Sequence, residues 1–306
     1  MNFRSLPQLL DYFKDEATCI QYFEQKRWNG KPVCPFCKTD KAPYKTSRGY
    51  RCSDKACDKK FTVKVGTIFE SSKIPFRTWF AAIYLITNHK KGISSHQLAT
   101  TLNITQKTAW FVLHRVREML KAQAPSVLGG TDKVVETDAT FVGGKEKNKH
   151  KNKKSKDAEG NYVNIKNVVL GAIERDGKIV LKHIPSESKE HMVEFITKHV
   201  PAGSTVYTDE HQGYRGLGKI YTHDTVNHSI KLYVAGKVHT QNIENFWSLL
   251  KRIVNGTYHQ ISEKHLNRYL NEFASRFNER NATPQERFDK FLRKSESRLT
   301  YERLIT

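Results

Sequence analysis

The chain has 306 residues, of which 38% are hydrophobic and include 16 Phe and 13 Tyr. This is enough for two or three domains with apolar cores and excludes global disorder. The chain has 52 Lys and Arg against 31 Asp and Glu, a net charge of +21. This charge predicts a polyanionic partner. The alternative is a basic protein that has no such partner. No apolar run of about 18 residues occurs and no secretory signal is visible, so neither a membrane span nor secretion is expected.

The cysteines predict a zinc site and fit a reducing compartment. Four of the 5 cysteines form a CxxC pair and a wider second pair: Cys34, Cys37, Cys52 and Cys57. Such pairs suit a tetrahedral Cys₄ site, and because four thiolates leave no open coordination position, the Zn²⁺ is expected to be structural. Strand-like flanks indicate a zinc ribbon: Tyr44, Tyr50, Phe61 and Val63. One or two amphipathic helices precede it over Leu6 to Trp28, with Cys19 expected in the core.

A helix-turn-helix is predicted after the ribbon, in GISSHQLATTLNITQKTAWFVLHRVREMLK. Ser94 or Ser95 can cap a short helix that ends at Leu102, and Thr105 can cap a longer helix that ends at Leu120. The second helix of such a motif enters the DNA major groove with its N-terminal residues on the bases. Here those residues are Gln106, Lys107 and Thr108. An ordinary helical hairpin has the same pattern and is the alternative.

Three acidic residues, far apart in the sequence, lie on predicted strands and a predicted helix in a way that suits a metal site. Asp138 in VVETDATFVGG and Asp209 in STVYTDEHQGY each follow a β-branched, strand-like run. Glu244 lies in a segment of helical period, with Lys251 two turns further along the same face. Carboxylates suit Mg²⁺ or Mn²⁺, and two ions about 3.5–4 Å apart can hold both oxygens of a phosphoryl displacement. Taken singly, each acid has an ordinary explanation as a turn former, helix cap or surface charge.

The order of elements after a linker at 124–131 predicts a mixed sheet. Strands are expected in VVETDATFV, NIKNVVLGAIE and KIVLKHIP, then a helix, the strand STVYTD, a weaker strand near Tyr221–Val226 and the Glu244 helix. This is the order of an RNase-H-like α/β domain, which brings the ends of the two aspartate strands together under that helix. The lysine-dense run GGKEKNKHKNKKSKDAEGN is either a loop that orders on DNA or a solvated hairpin loop.

At VETDATFVGGK, VYTDEHQGY, VHTQNIENFWSLLKR and NGTYHQIS the chain resembles the DDE transposases of bacterial insertion sequences that carry an N-terminal zinc ribbon (ISXO-type), distant relatives of the eukaryotic Merlin transposons. The resemblance extends from Phe23 to Phe288. It implies the following division: N-terminal helices 1–27, Cys₄ zinc ribbon 28–70, helix-turn-helix region 71–123, RNase-H-like catalytic domain 131–290 and C-terminal tail 291–306.

The resemblance also implies the roles of individual residues. The metal-binding triad would be Asp138, Asp209 and Glu244. Lys251 would touch a phosphate, and His239 and Asn242, within the same motif, could position DNA or metal-bound water; for His239 a capping or core role is equally open. Where the family often has a second acid after the first Asp, this chain has Ala139, and Glu136 on the same strand face is the candidate substitute.

The expected function is therefore that of a transposase which cuts and joins double-stranded DNA at the terminal inverted repeats of its own element and at a target. One Mg²⁺ held by Asp138 and Asp209 and a second held by Asp138 and Glu244 would serve this chemistry without a covalent intermediate. Because both ends of the element are cut, a homo-oligomer is expected on the DNA. The expected location is the bacterial cytoplasm, at the nucleoid. The alternatives are a catalytically retired DNA-binding regulator and a cellular nuclease that cuts RNA–DNA hybrids.

Overall fold

The structure, a computed structural model, describes residues 3–121, 127–143, 150–154, 156, 159–160, 166–226 and 238–306. Most of the lysine-dense run and part of the linker therefore lie outside the described residues. The chain divides into two compact units. The first, called the ribbon unit, comprises residues 1–123 with 279–306, and the second, the sheet unit, comprises residues 124–278. No described helix is long and apolar enough to cross a membrane.

The ribbon unit begins with two helices and a small sheet, as expected. Helices α1 (Leu6–Tyr12) and α2 (Glu16–Trp28) each start at a capping side chain, Ser5 and Asp15, that accepts a backbone N–H of the first turn. Three short antiparallel strands follow: β1 (Tyr44–Thr46), β2 (Gly49–Arg51) and β3 (Lys60–Phe61). Cys19 is fully buried, as the sequence predicts.

Helices α3 (Phe76–Asn88), α4 (Ser95–Leu102) and α5 (Gln106–Lys121) continue the ribbon unit. Ser94 caps α4 by accepting the N–H of Gln97. The turn to α5 passes through Asn103, which is left-handed at φ 50°, and Thr105 Oγ1 accepts the N–H of Thr108 at 3.2 Å. The two helices and their short turn thus have the bounds that the capping pattern predicts, to within one residue.

The C-terminal segment belongs to the ribbon unit, which differs from the expected division into a catalytic domain over 131–290 and a tail over 291–306. It forms α9 (Pro284–Arg293) and α10 (Tyr301–Ile305). The physical reason is aromatic burial: the Phe288 ring is inaccessible to solvent and meets the rings of Phe80 and Phe3 edge to face at 5.2 and 5.4 Å.

The sheet unit contains a mixed sheet of order β6-β5-β4-β7-β8, in which β4, β5 and β6 are antiparallel and β4, β7 and β8 are parallel. This confirms the expected run of three strands, a helix and two more strands. The strands are β4 (Val134–Val142), β5 (Asn167–Glu174), β6 (Ile179–Ile184), β7 (Thr205–Asp209) and β8 (Thr222–Val226).

Helices cover both faces of this sheet because its strands are apolar on both sides. On one face lies α6 (Lys189–His199), with Phe195 and Ile196 in the core. On the other face lie α7 (Gln241–Ile253) and α8 (Glu263–Asn278), which pack against Val169 and Leu181. Short 3₁₀ turns at Gln212–Tyr214 and Leu217–Lys219 join β7 to β8.

Helix α7 does not simply end but continues into a π-helical turn, Val254–Tyr258. The last residue of this turn is bound to the core, because the Tyr258 hydroxyl donates to Glu272 Oε1 at 2.7 Å. Glu272 is fully buried and also forms an ion pair with the buried Arg276. The chain then leaves through His259, which has φ 57° and ψ −52°. The sequence analysis did not predict this turn.

Phe288→Ala is expected to lower the free energy of unfolding of the ribbon unit by about 3–5 kcal/mol, because a fully buried ring is replaced by a cavity. Urea unfolding followed by tryptophan fluorescence measures this, since Trp28, Trp79 and Trp110 lie in that unit. Tyr44→Ala removes a ring that is 64% exposed and should change stability by less than about 0.5 kcal/mol. Equal effects of the two substitutions would contradict the packing described for α9.

Candidate functional site

The four predicted cysteine ligands converge in the ribbon unit. Their Sγ atoms all lie within 4.8 Å of one another: Cys34, Cys37, Cys52 and Cys57. The Cys34–Cys57 and Cys37–Cys52 sulfur distances are 3.8 and 3.5 Å, close to the separation of about 3.8 Å that a tetrahedron with Zn–S bonds of about 2.3 Å requires. Burial raises the pKa of Cys34, but the backbone N–H groups of Cys37 and Phe36 outweigh it and hold that pKa at about 7. The donor set fits structural zinc.

In the sheet unit, β4 and β7 bring two of the predicted acids side by side. Their parallel register pairs Glu136 with Tyr207, and Asp138 and Asp209 each lie two residues further along. The two aspartates therefore lie side by side, but only Asp209 is at a strand end as predicted, because β4 continues beyond Asp138 to Val142. Asp209 ends β7, and its Oδ1 accepts the N–H of His211 at 3.1 Å.

Asp138 is an acid whose pKa is shifted by its surroundings. Burial, together with the negative charges of Asp209 and Glu244, raises its pKa to about 6. Trp247 Nε1 donates to Asp138 Oδ2 at 2.8 Å, which opposes this rise. The indole lies close to Gly171, the residue paired with Asp138 on β5: a Cβ there would come within 2.6 Å of the Trp247 ring. Glycine at this position therefore provides the space in which the indole reaches the carboxylate.

Glu136 connects β4 to the start of α7. It is fully buried and accepts the backbone N–H groups of Asn242 at 2.9 Å and Ile243 at 3.3 Å. The Asn242 side-chain amide and Arg175 Nε complete its contacts at 2.8 and 2.9 Å. A carboxylate at a helix N-terminus is stabilised by the free N–H groups and the helix dipole. Protein donors thus engage both oxygens of Glu136, so it is an anchor for α7 rather than a substitute metal ligand.

Glu244 and Lys251 both lie on α7, as predicted. Glu244 is in the first turn, is half-buried, and accepts a hydrogen bond from Thr240 Oγ1 at 2.8 Å. Lys251 is exposed in the last turn. His239 Nδ1 lies 3.4 Å from Glu136 Oε1, and the Asn242 amide donates to the same carboxylate. Both residues therefore lie at the start of α7, within one or two turns of Glu244.

Tyr214 lies near Asp138 and Asp209. It was not among the predicted site residues, although it stands in the motif VYTDEHQGY. Its side chain is buried and its hydroxyl has no hydrogen-bond partner among the described residues. Burial and the charges of Asp138 and Asp209 raise its pKa well above the ordinary value. No described Lys or Arg forms an ion pair with either aspartate.

Uncompensated carboxylates beside an orphaned hydroxyl fit a hydrated divalent cation. Within the described part of the chain, the oxygens of the three acids do not all lie within 4.8 Å of one another, as the four sulfurs do. Asp138, Asp209 and Glu244 thus have the chemistry of a cation site, but their oxygens are spread more widely than the four sulfurs of the zinc site.

The three predicted base-reading residues lie together at the start of α5. Gln106 and Lys107 are exposed and Thr108 is half-buried. Each makes a local contact: the Gln106 amide donates to Ser95 Oγ at 2.9 Å, Lys107 lies over the Tyr301 ring at 5.6 Å, and Thr108 shares a hydrogen bond with a threonine of the turn. The structure thus shows two helices around a short turn, with polar side chains at the N-terminus of the second.

Two domain families match the chain. Residues 127–278 match the ISXO2-like transposase domain, and residues 14–60 match the transposase zinc-ribbon domain. The two ranges together take in about two thirds of the chain and contain both sites described above. They agree with the ribbon in the first unit and with the mixed sheet in the second.

Among individual proteins, an uncharacterised protein in the transposable element ISH50 of Halobacterium salinarum is 26% identical over 279 residues, which cover 86% of this chain and 91% of that protein. Two solved structures are also similar. A chain of the Mos1 strand transfer complex is 11% identical, with 76% of this chain and 82% of that chain covered and a TM-score of 0.26. A chain of a pre-cleavage Mos1 transpososome is 12% identical, with 98% and 100% covered and a TM-score of 0.27.

Cys52→Ser is expected to abolish stoichiometric zinc binding and to unfold the ribbon, because the metal contributes much of the folding free energy of so small a domain. Metal analysis after dialysis and far-ultraviolet circular dichroism measure the two effects. Cys19→Ala is the matched control, since Cys19 is buried but lies outside the cluster; it should retain one zinc per chain. Full zinc content in Cys52→Ser would contradict the assigned ligand set.

Asp138→Asn is expected to stabilise the protein at pH 8 in magnesium-free buffer. The pKa of Asp138 is raised on folding, so its contribution to stability is full below about pH 4 and is lost as the pH rises through about 6. A rise of this pKa from 3.8 to about 6 corresponds to about 3 kcal/mol at pH 8, and the effect should vanish at pH 4. Thermal unfolding of both proteins at the two pH values measures it, and destabilisation by Asp138→Asn at pH 8 would contradict the account.

Proposed function

Since the chain belongs to the family of transposases with an ISXO2-like domain and a transposase zinc ribbon, we propose that it cleaves DNA at the terminal inverted repeats of its insertion sequence and transfers the cut strand to a target. The observation that carries this proposal is the proximity of Asp138, within β4, to Asp209, at the end of the neighbouring parallel strand β7, with Glu244 on the helix that packs beside them.

In this proposal Asp138, Asp209 and Glu244 would hold two Mg²⁺ or Mn²⁺ ions, and Asp138 would contribute to both. When bound, such ions activate the attacking water or 3′-hydroxyl and stabilise the leaving oxygen. Carboxylates that serve a pair of ions do not need to surround a single point, which fits their spacing here. The raised pKa of Asp138 supports the same reading, since a cation would relieve the charge that burial and two neighbouring acids disfavour.

Other residues of the chain orient this constellation. The Trp247 N–H fixes one oxygen of Asp138, so the carboxylate cannot rotate freely. Glu136 fixes the start of α7 and thereby the position of Glu244. Lys251, two turns further on and exposed, would hold a DNA phosphate. His239 and Asn242 position DNA or bound water at the start of the helix, where their contacts with Glu136 restrain them.

Recognition of the DNA is assigned to the ribbon unit. The turn between α4 and α5 would place the start of α5 in a major groove, with Gln106, Lys107 and Thr108 on base edges. The net charge of +21 supports a DNA partner, because each neutralised phosphate releases counterions. Two element ends must be held at once, so the working form would be a homo-oligomer on double-stranded DNA.

Cleavage of the DNA that flanks the gene tests this proposal. Asp209→Asn and Glu244→Gln are each expected to lower Mg²⁺-dependent cleavage at least about a hundredfold while leaving DNA binding by gel shift unchanged. Glu210→Gln, at the exposed acid next to Asp209, is the control and should retain activity. Wild-type cleavage rates in Asp209→Asn would overturn the metal assignment, and binding without cleavage by the wild type would point to a DNA-binding regulator.

A further inference from the structure

A cavity of about 300 Å³ lies in the sheet unit at the end of α7, next to the carboxyl end of β4. Its lining includes Phe141, Lys251, Asn255, His259 and Gln260. Among the described residues, the lining contains one cationic side chain, three amides (Asn167, Asn255 and Gln260) and an imidazole, and no acid. Phe141 is 46% exposed, which is unusual for a large aromatic side chain in a strand. The occupant that these groups fit is anionic, has polar edges and offers a flat apolar face.

The cavity lies further along β4 and α7 than the proposed catalytic residues Asp138 and Glu244. The Asp138–Trp247 contact and the anchoring of the start of α7 by β4 show that the two elements run side by side in the same direction. Val142, which lines the cavity, lies on the same face of β4 as Asp138, and seven helical residues from Glu244 to Lys251 span about 10 Å. At about 3.4 Å per phosphate along one strand, this distance is about three nucleotides.

The wall of the cavity is built from a strained and firmly held segment. A π-helical turn runs from Val254 to Tyr258, and His259 then adopts a left-handed φ of 57° that disfavours any residue except glycine. The strain is maintained by burial: the Tyr258 ring packs against Tyr269 at 4.9 Å and its hydroxyl is bound by the buried Glu272. Rigid, strained backbone of this kind is characteristic of binding sites.

We propose that this cavity binds the DNA strand next to the cleaved phosphate, within about three nucleotides of it. Lys251 pairs with a phosphate, while Asn255 and Gln260 hydrogen-bond to base edges and the exposed ring of Phe141 stacks on a base. His259 supplies a further donor or acceptor. The site would thus select the sequence or the unpaired state of the nucleotides that flank the cut. This inference rests on the proposed function.

The test combines protein and DNA changes. The double variant Asn255→Ala/Gln260→Ala is expected to raise the Kd for the flanking duplex about tenfold in magnesium-free buffer. Abasic substitutions within three positions of the cut should weaken binding to the wild type more than binding to the double variant, because only the contact with Phe141 remains to be lost there. Lys198→Ala, which removes a full positive charge from the exposed side of α6, should leave both results unchanged.

His259→Gly separates ligand binding from folding. Glycine accepts the left-handed conformation without strain, so this variant should unfold at the same temperature as the wild type or at a higher one, yet bind the flanking duplex more weakly. Wild-type affinity in the double variant, or abasic penalties that are equal in both proteins, would overturn the inference alone. A wild-type protein that neither binds nor cleaves the flanking DNA would instead overturn the proposed function and this inference with it.

Discussion

The buried carboxylate of Glu136 is the constraint on which the arrangement of the sheet unit depends. A fully buried charge is costly unless donors surround it, and here the donors are the first N–H groups of α7 together with the guanidinium of Arg175. The helix can therefore start at one place on β4 and no other. That registration brings Trp247 to Asp138 and places Glu244 near the same carboxylate. The burial of Glu136 and the positions of Asp138 and Glu244 relative to each other thus depend on the same contact.

Asp138, two residues further along the strand, shows the opposite balance. Its carboxylate receives one hydrogen bond, faces two other acids and has a raised pKa, so its charge opposes folding. The neighbouring hydroxyl of Tyr214 is buried without a partner among the described residues. Polar groups left in this state are found where a ligand supplies what the protein lacks. One strand thus carries Glu136, whose charge is balanced by protein donors, and Asp138, whose charge is not.

The sequence predicted the local structure well and the long-range packing poorly. Capping side chains located α4 and α5, cysteine spacing located the zinc ligands, and β-branched runs located the strands, because these patterns act over a few residues. It did not reveal that Phe288 belongs to the ribbon unit, since that depends on rings far away in sequence. The packing of Trp247 against Gly171 depends on the register between β4 and β5, which the sequence does not reveal. The sequence placed Glu136 on the correct face of β4 but did not predict that it anchors α7.

The central claim is that Asp138, Asp209 and Glu244 hold divalent metal ions. A crystal structure of the zinc-loaded protein soaked in Mn²⁺ tests it most directly, because anomalous scattering locates manganese independently of the protein atoms. The account predicts two manganese peaks about 3.5–4 Å apart among the three carboxylates, in addition to zinc at the four cysteines. Anomalous density at the cysteines with none at the three acids would contradict it.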